Sequence, residues 1–352
     1  MAERVRLGVI GCGVIGPRHM AAAAAAPDIE LVAVADPIAE RARAAAEKHG
    51  ARKTYASAEE LIADPEVEAV VFAVAAADRL ESPFAALAAG KHILLEKPPA
   101  MDAATIKRLI AARGDRVAGS CSCRFQATQS WRAAADFFAT GALGPIRNVH
   151  CRVFDAAGPP PKTPPPEWRL KKARNAGGIL VNWGSYDLDY LLSLTGWSLT
   201  PKTVLAQTWG VPPRFASHVA PGSDAETHFA ALVRCEGGAV ITIERGEYMP
   251  ARPEACWQVV GANGTLQLVM TPNRPIAVVF DEASSEKGVF SRTLWEGTDD
   301  WDSLHLLPVQ DFARAILEGR QPATNLERAL VIQQIADAIY ASAESGQAVE
   351  IV

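Results

Sequence analysis

Gly11-Cys12-Gly13-Val14-Ile15-Gly16 is a G-x-G-x-x-G turn that follows the apolar run Val5–Ile10 and opens an alanine-rich stretch from about Val14 to Ala26. A strand, this turn and a helix make a site for a pyrophosphate. Gly11 allows the tight turn, Gly13 leaves the backbone open to the phosphates, and Gly16 lets helix and strand pack closely. The N–H groups at the helix start, around Val14 and Ile15, attract the anion. A second apolar run, Glu30–Ala35, ends at Asp36, twenty residues beyond Gly16. A carboxylate there accepts hydrogen bonds from both ribose hydroxyls and repels a 2′-phosphate. The expected cofactor is therefore NAD rather than NADP.

These groups need a sheet to hold them. Beyond Asp36 the sequence predicts a helix over Ala39–His49 opened by Pro37, a short helix around Leu61, a strand at Val67–Val74, a helix at Leu80–Ala89 stopped by Gly90, and a strand at His92–Leu95. A helix over Asp102–Arg113, N-capped by Asp102, and a strand at Arg116–Gly119 follow. Alternating strands and helices make a parallel sheet wound on both faces, with ligands at the carboxyl ends of its strands. Gly11, Asp36, Val74, Glu96-Lys97-Pro98 and Gly119 all fall at such ends. Glu96 and Lys97 join the cofactor-binding candidates on that ground.

The pattern changes after about residue 122. A helix is expected at Gln126–Ala139, a strand at Ile146–Ala156, an irregular proline-dense loop at Gly158–Pro166, and a helix from Ile179 to Leu194 capped by Gly196. Strand-like runs then follow one another, at Thr203–Val211, Glu226–Cys235, Ala239–Tyr248, Ala255–Gly261, Thr265–Met270, Ile276–Phe280 and Gly288–Trp295. Short turns between them predict a mostly antiparallel sheet. Helices near Ser303–Glu318 and Asn325–Ser345 close the chain. The expected class is thus α/β, with a dinucleotide-binding domain over residues 1–122 and an α+β substrate domain over 123–352.

Composition agrees with two globular domains: 352 residues, 49% hydrophobic and 21% charged. A net charge of −5 gives no reason to expect nucleic acid or an anionic membrane as partner. No apolar run is long enough to cross a bilayer, and the chain enters its first strand without a charged-then-apolar leader, so a cytoplasmic location is expected. Cys12, Cys121, Cys123, Cys151, Cys235 and Cys256 form neither a C-x-x-C pair nor a zinc spacing. They are expected to be reduced, buried thiols, with no metal site.

Taken in order, the glycine turn, Glu96-Lys97-Pro98, and Gly177-Gly178 followed by Asn182-Trp183-Gly184-Ser185-Tyr186-Asp187-Leu188-Asp189 resemble the Gfo/Idh/MocA oxidoreductases. Trp131–Ile146 and Phe312–Ile316 with Gly319–Pro322 extend the resemblance over essentially the whole chain. It implies an N-terminal Rossmann domain, a C-terminal domain with a large open sheet, a cis peptide before Pro98, and pairing through the sheet as homodimers or homotetramers. It also implies oxidation of a secondary alcohol, or reduction of the ketone, on a sugar, cyclitol or related polyol. Three departures stand out. The family's aspartate and catalytic histidine are replaced by Asn182 and Tyr186, and its threonine-proline-asparagine turn and later histidine by Val74-Ala75-Ala76 and Arg79.

Hydride transfer needs a base for the hydroxyl proton and a carbon held against the nicotinamide. Residues 182, 186 and 189 share one helical face. Tyr186 is the expected acid/base, with Lys97 supplying the nearby positive charge that favours phenolate and binding the reacting oxygen. Asn182 orients the hydroxyl, and Asp189 binds another hydroxyl or holds the helix. Arg124 and Trp168 are expected to line the substrate pocket, while Trp183 serves equally as core packing. The basic run Arg169, Lys171, Lys172 and Arg174 reads either as a solvated loop or as a grip for an anionic substrate. Two other activities use the same residues: a trans-dihydrodiol dehydrogenase-like oxidoreductase, favoured by Tyr186, and a non-catalytic NAD-binding regulator.

Overall fold

A computed structural model describes residues 4–163, 165–271 and 276–352. Pro164, within the predicted loop 158–166, lies outside them. The chain forms two compact units. The first comprises residues up to Arg124 together with Asp302–Leu330, and the second Phe125–Trp301 with Val331–Val352.

The first unit opens β1 (Val5–Ile10), α1 (Gly16–Ala24), β2 (Ile29–Ala35), α2 (Ala39–His49), β3 (Lys53–Tyr55), α3 (Ala58–Ala63) and β4 (Ala69–Phe72). It continues through α4 (Ser82–Ala88), β5 (His92–Leu95), α5 (Ala103–Arg113) and β6 (Ala118–Ser120). The strands form a parallel sheet in the order β3-β2-β1-β4-β5-β6. Every residue of β4 is buried, as expected of a strand covered on both faces. Val5, Leu7 and Val9 pack with Met20 of α1 on one face, and Ile10, Phe72 and Leu95 with Ile106 of α5 on the other. Asp102 caps α5, its carboxylate accepting the Thr105 N–H at 2.7 Å. Between β4 and α4, ahead of the helix expected at Leu80–Ala89, Ala76–Arg79 forms a 3-10 turn.

The second unit contains α6 (Gln129–Ala139), β7 (Ile146–Ala156), α7 (Lys172–Asn175), α8 (Ser185–Leu194), β8 (Pro201–Trp209), β9 (His228–Cys235) and β10 (Val240–Met249). After these come β11 (Glu254–Gly261), β12 (Gly264–Leu268), β13 (Ile276–Ser284) and β14 (Gly288–Gly297). The chain ends with α9 (Leu306–Glu318), α10 (Leu326–Ser345) and β15 (Val349–Glu350). The second sheet has the order β14-β13-β12-β11-β7-β10-β9-β8-β15, and only its central β7–β10 pair is parallel. Residues alternate along its strands: Val149, Cys151 and Val153 of β7 are buried, while His150 and Arg152 point to the other, more open face.

Three boundaries differ from expectation, two of them for local reasons. Thr128 caps α6, its hydroxyl accepting the Trp131 N–H at 3.1 Å, so the helix begins after a 3-10 turn over Cys121–Ala127. The helix expected from Ile179 opens as a π-helical turn, Leu180–Gly184, and becomes α8 at Ser185, whose hydroxyl donates back to the Val181 carbonyl at 2.9 Å. Residues 302–330, placed by sequence in the second domain, group with the first. There Val309, Phe312, Ala313 and Ala315 of α9 share one core with Met20 and Ala23 of α1.

Candidate active site

The nucleotide-binding part lies in the first unit. Gly11 has φ +97°, and a Cβ on it would lie 2.6 Å from the Ala73 carbonyl oxygen, so only glycine turns the chain there. A Cβ on Gly13 would meet no protein atom within 4 Å, and Val14 beside it is 86% exposed, so the loop presents an open backbone surface. Ile15 stands at the start of α1, ahead of Gly16 and Pro17. Asp36 is buried at the end of β2; its Oδ2 accepts the Cys12 N–H at 2.9 Å and its Oδ1 that of Ile38 at 2.9 Å. The carboxylate is thereby fastened to the glycine turn. Open glycine backbone, a helix start and an acid at the next strand end fit a dinucleotide. Burial, with the Asp36 charge, pushes the Cys12 thiol up to about 12, so it stays protonated.

Glu96-Lys97-Pro98 follows β5, with a cis peptide between Lys97 and Pro98. Glu96 is buried, and Oε1 pairs with His19 Nε2 of α1 at 2.9 Å while Oε2 accepts the Lys97 N–H at 3.0 Å. Burial alone would raise this carboxyl. The His19 hydrogen bond and the charges of His19, Lys97 and Arg124 outweigh it and hold Glu96 down at about 2. Lys97 and Arg124 are half-buried. His19 and Glu96 also lie near the Cys121 thiol, which burial and the Glu96 charge keep protonated.

The substrate candidates of the second unit gather on the π-helical turn and α8. Tyr186 is 2% exposed. Its ring stands edge-on to Phe125 at 5.4 Å and to Trp183 at 5.8 Å, and Phe125 also meets Trp301 at 6.2 Å. Asn182, one turn before Tyr186, is half-buried. Asp189 is fully buried, and its Oδ1 accepts Gln126 Nε2 at 2.7 Å. Trp168 lies on the turn Glu167–Leu170 and is 44% exposed.

Within the basic run Lys172 and Arg174 are exposed, while Arg169 is turned to the protein. Arg169 clasps Glu247 through both nitrogens, at 3.1 and 2.6 Å. Burial pushes Glu247 up, and the guanidinium opposes that shift. Arg169 is thus spoken for by a protein carboxylate, which corrects both readings of it.

Two anchors were not visible in the sequence. Glu226, 4% exposed, accepts N–H groups of Gly178 and Leu180, each at 3.0 Å, and the Tyr340 hydroxyl at 2.9 Å. A Cβ on Gly178 would lie 1.8 Å from the Glu226 carbonyl oxygen, which accounts for a glycine there. Asp187, beside Tyr186, takes both carboxylate bonds from Arg245 Nη1 at 2.8 Å and one from Trp257 Nε1 at 2.9 Å. Asp187 stood in the quoted Asn182–Asp189 run, but no local signal names its partners on β10 and β11.

Residues 5–116 match the Oxidoreductase family model for the NAD-binding Rossmann fold of GFO_IDH_MocA proteins, and residues 131–267 match the GFO/IDH/MocA C-terminal domain. The chain belongs to the Gfo/Idh/MocA oxidoreductase family. As a Gfo/Idh/MocA protein it is an oxidoreductase with an NAD-binding Rossmann domain. It is 25% identical to the myo-inositol 2-dehydrogenase of Thermotoga maritima over 92% of this chain and 91% of that protein. With the 1,5-anhydro-D-fructose reductase of Ensifer adhaerens it shares 34% over 53% of this chain and 55% of that one. A levoglucosan dehydrogenase in complex with NADH has the same fold, with TM-score 0.86 and 22% identity over 99% of this chain and 100% of that one. Among the described residues no helix is long and apolar enough to cross a membrane.

His305, on the turn Asp302–His305, gives this site a pH signature. It is 8% exposed, and burial, then the charges of Arg124, Arg18 and His19, lower it from 6.5 to about 4, with Glu96 opposing. The unfolded chain then binds more protons between these values, so stability falls as pH drops. His305 contributes fully above 6.5 and loses its contribution on the way down through about 4. Denaturant midpoints measured against pH should decline across that window. His305→Gln should flatten the decline, and an unchanged slope would remove His305 as its source.

Proposed function

We propose that this chain oxidises a secondary alcohol on a cyclic sugar, cyclitol or related polyol with NAD, or reduces the corresponding ketone. The observation that carries the reading is Lys97, set at the carboxyl end of β5 in the sheet that also presents the glycine turn and Asp36. A lysine retained there has chemistry to perform beyond binding a nucleotide, which argues against the regulator reading. NAD, when bound, would supply the hydride acceptor for the carbinol carbon. Asp36 would hold its adenosine ribose, and the open backbone at Gly13, Val14 and Ile15 its pyrophosphate.

The hydroxyl proton must leave as the hydride does. Tyr186 takes it on Oη in oxidation and returns it in reduction. The Lys97 ammonium binds the reacting oxygen and offsets the negative charge that grows on it. Asn182 orients the alcohol by hydrogen bonding, and Arg124 binds a further substrate oxygen. Asp189 serves through Gln126 as a brace for α8 rather than as a hydroxyl ligand, because its carboxylate is fully buried. The rings of Phe125, Trp183 and Trp301 favour a substrate with an apolar C–H face. They also keep the aromatic-diol reading in play as the second choice. The relatives named for inositol and anhydrofructose chemistry support the first. A cytoplasmic setting suits cysteines none of which is joined in a disulfide.

A second copy of the chain is the natural cover for the open face of the second sheet. Leu205 of β8 pairs with Leu232 of β9, and they are 54% and 43% exposed, with Trp209 at 44% on the same strand. An apolar strip of this kind is commonly an interface. Sedimentation of Leu205→Glu/Leu232→Glu should show a smaller assembly than wild type; an identical value would place the interface elsewhere.

NADH formation across sugars, glycosides, inositols and aromatic dihydrodiols tests the activity. On the active substrate, Lys97→Ala should cut turnover by ~10²–10³-fold, the usual cost of losing a group that stabilises developing negative charge, and Tyr186→Phe should cut it by ~10²–10⁴-fold, the usual range for loss of an acid/base group. Near-normal turnover in Tyr186→Phe would exclude tyrosine from proton transfer. Asp36→Ala should weaken NAD binding and relax discrimination against NADP, and an unchanged NAD/NADP ratio would show that Asp36 does not read the ribose.

A further inference from the structure

Arg79 occupies the turn after β4, where the family resemblance implies a side chain facing the cofactor. Instead it points inward and is 3% exposed. Its Nη1 donates to the Val74 carbonyl, and its Nη2 donates to the carbonyls of Glu96, at 2.5 Å, and of Pro98. One guanidinium therefore joins the end of β4 to the carbonyls of the two residues flanking Lys97. Its Nε–H finds no partner among the described residues, so the group is not placed to satisfy itself. A buried cation is costly unless it is paired and hydrogen-bonded. Here the compensation comes from three carbonyls at the ends of adjacent strands and from the nearby Glu96 charge. Burial lowers Arg79 to about 10, so it remains a cation at neutral pH.

A lysine side chain is long and flexible, and hydrogen bonds of its own direct it poorly. Its direction is set where its backbone is fixed. The sheet fixes Lys97 from one side only, since β5 ends at Leu95. Glu96 takes the Lys97 N–H, and Arg79 takes the carbonyls before and after it. We infer that Arg79 is a positioning residue for Lys97, clamping its turn to β4 so that the ammonium leaves in one direction. The inference rests on the reading of Lys97 as the group that binds the reacting oxygen. Arginine suits the task because it spans the three carbonyls with two nitrogens, whereas a lysine offers one.

The test compares Arg79→Met, Arg79→Lys, Lys97→Ala and Arg79→Met/Lys97→Ala with wild type. Turnover is measured on the substrate found in the panel, and NADH affinity by its fluorescence. Displacing a reacting group by about an ångström costs ~10²-fold, so Arg79→Met should lose ~10²-fold in kcat and Arg79→Lys less, with NADH affinity nearly kept. The double variant should be no slower than Lys97→Ala, because the two residues act as one unit. Trace acetylation of the chain without nucleotide, read by mass spectrometry, should show Lys97 labelled faster relative to Lys287 in Arg79→Lys than in wild type. That readout needs no turnover, and Arg79→Lys carries the test if the methionine variant does not fold. Unchanged kcat and labelling in Arg79→Lys would overturn the inference. So would losses that multiply in the double variant, or a loss confined to NADH affinity. Wild-type turnover in Lys97→Ala would instead sink the reading of Lys97 and the clamp's purpose with it.

Discussion

A buried ion pair holds the proposed acid/base helix to its sheet. Asp187 and Arg245 are 0% and 2% exposed, and they meet through two 2.8 Å contacts. Trp257 Nε1 adds a third donor to the same carboxylate. Such a pair offers little net stability over an apolar replacement, yet losing one partner strands a buried charge and costs ~3–5 kcal/mol. Its value here is register. Asp187 follows Tyr186 directly, so fixing one on β10 and β11 fixes the direction of the other. Arg245 also lies over the Trp183 ring at 4.7 Å, which ties the aromatic neighbour of Tyr186 to the same anchor. Glu226 does the corresponding work one turn earlier, holding the N–H groups of Gly178 and Leu180 below Asn182.

The first unit uses the same device with the signs exchanged. Glu96 is a buried carboxylate held by an imidazole and a backbone N–H, and Arg79 a buried cation held by carbonyls. In both units the groups proposed to touch substrate are held by buried charged neighbours. Preorganisation of this kind lowers the reorganisation needed when charge moves in the reaction. It also explains why buried charges concentrate around Lys97 and Tyr186.

What was legible in the sequence was local. The glycine turn, Asp36 at the end of β2, the cap at Asp102 and the alternation that builds both sheets all express spacings of a few residues. What was hidden was long-range. Arg245 lies 58 residues from Asp187, and Tyr340 lies 114 from Glu226, so no window contains both partners. Residues 302–330 looked like the tail of the second domain because the chain must return to the first after completing the second, and apolar periodicity does not say against which core a helix packs. Arg169 misled for a related reason: a charge in a basic run reads as solvated until a carboxylate from another strand is brought to it. Arg79 was noticed only as a departure, since a side chain that bonds carbonyls leaves no pattern of residue types.

The alternation that hides these partners also links the two faces of the second sheet. Glu244 and Arg245 are neighbours on β10 and point to opposite sides. Inward, Arg245 holds Asp187 and, through it, α8. Outward, Glu244 forms an ion pair with Arg152 across 3.0 Å and pairs with His228 Nε2 at 3.0 Å, while His150 meets Thr242 at 2.8 Å. Polar pairs beside the Leu205–Leu232 strip mean that apolar area can favour a cover, but matched hydrogen bonds must set how it sits. A partner bound there would stiffen the strand whose inner side carries the anchor of the proposed acid/base helix.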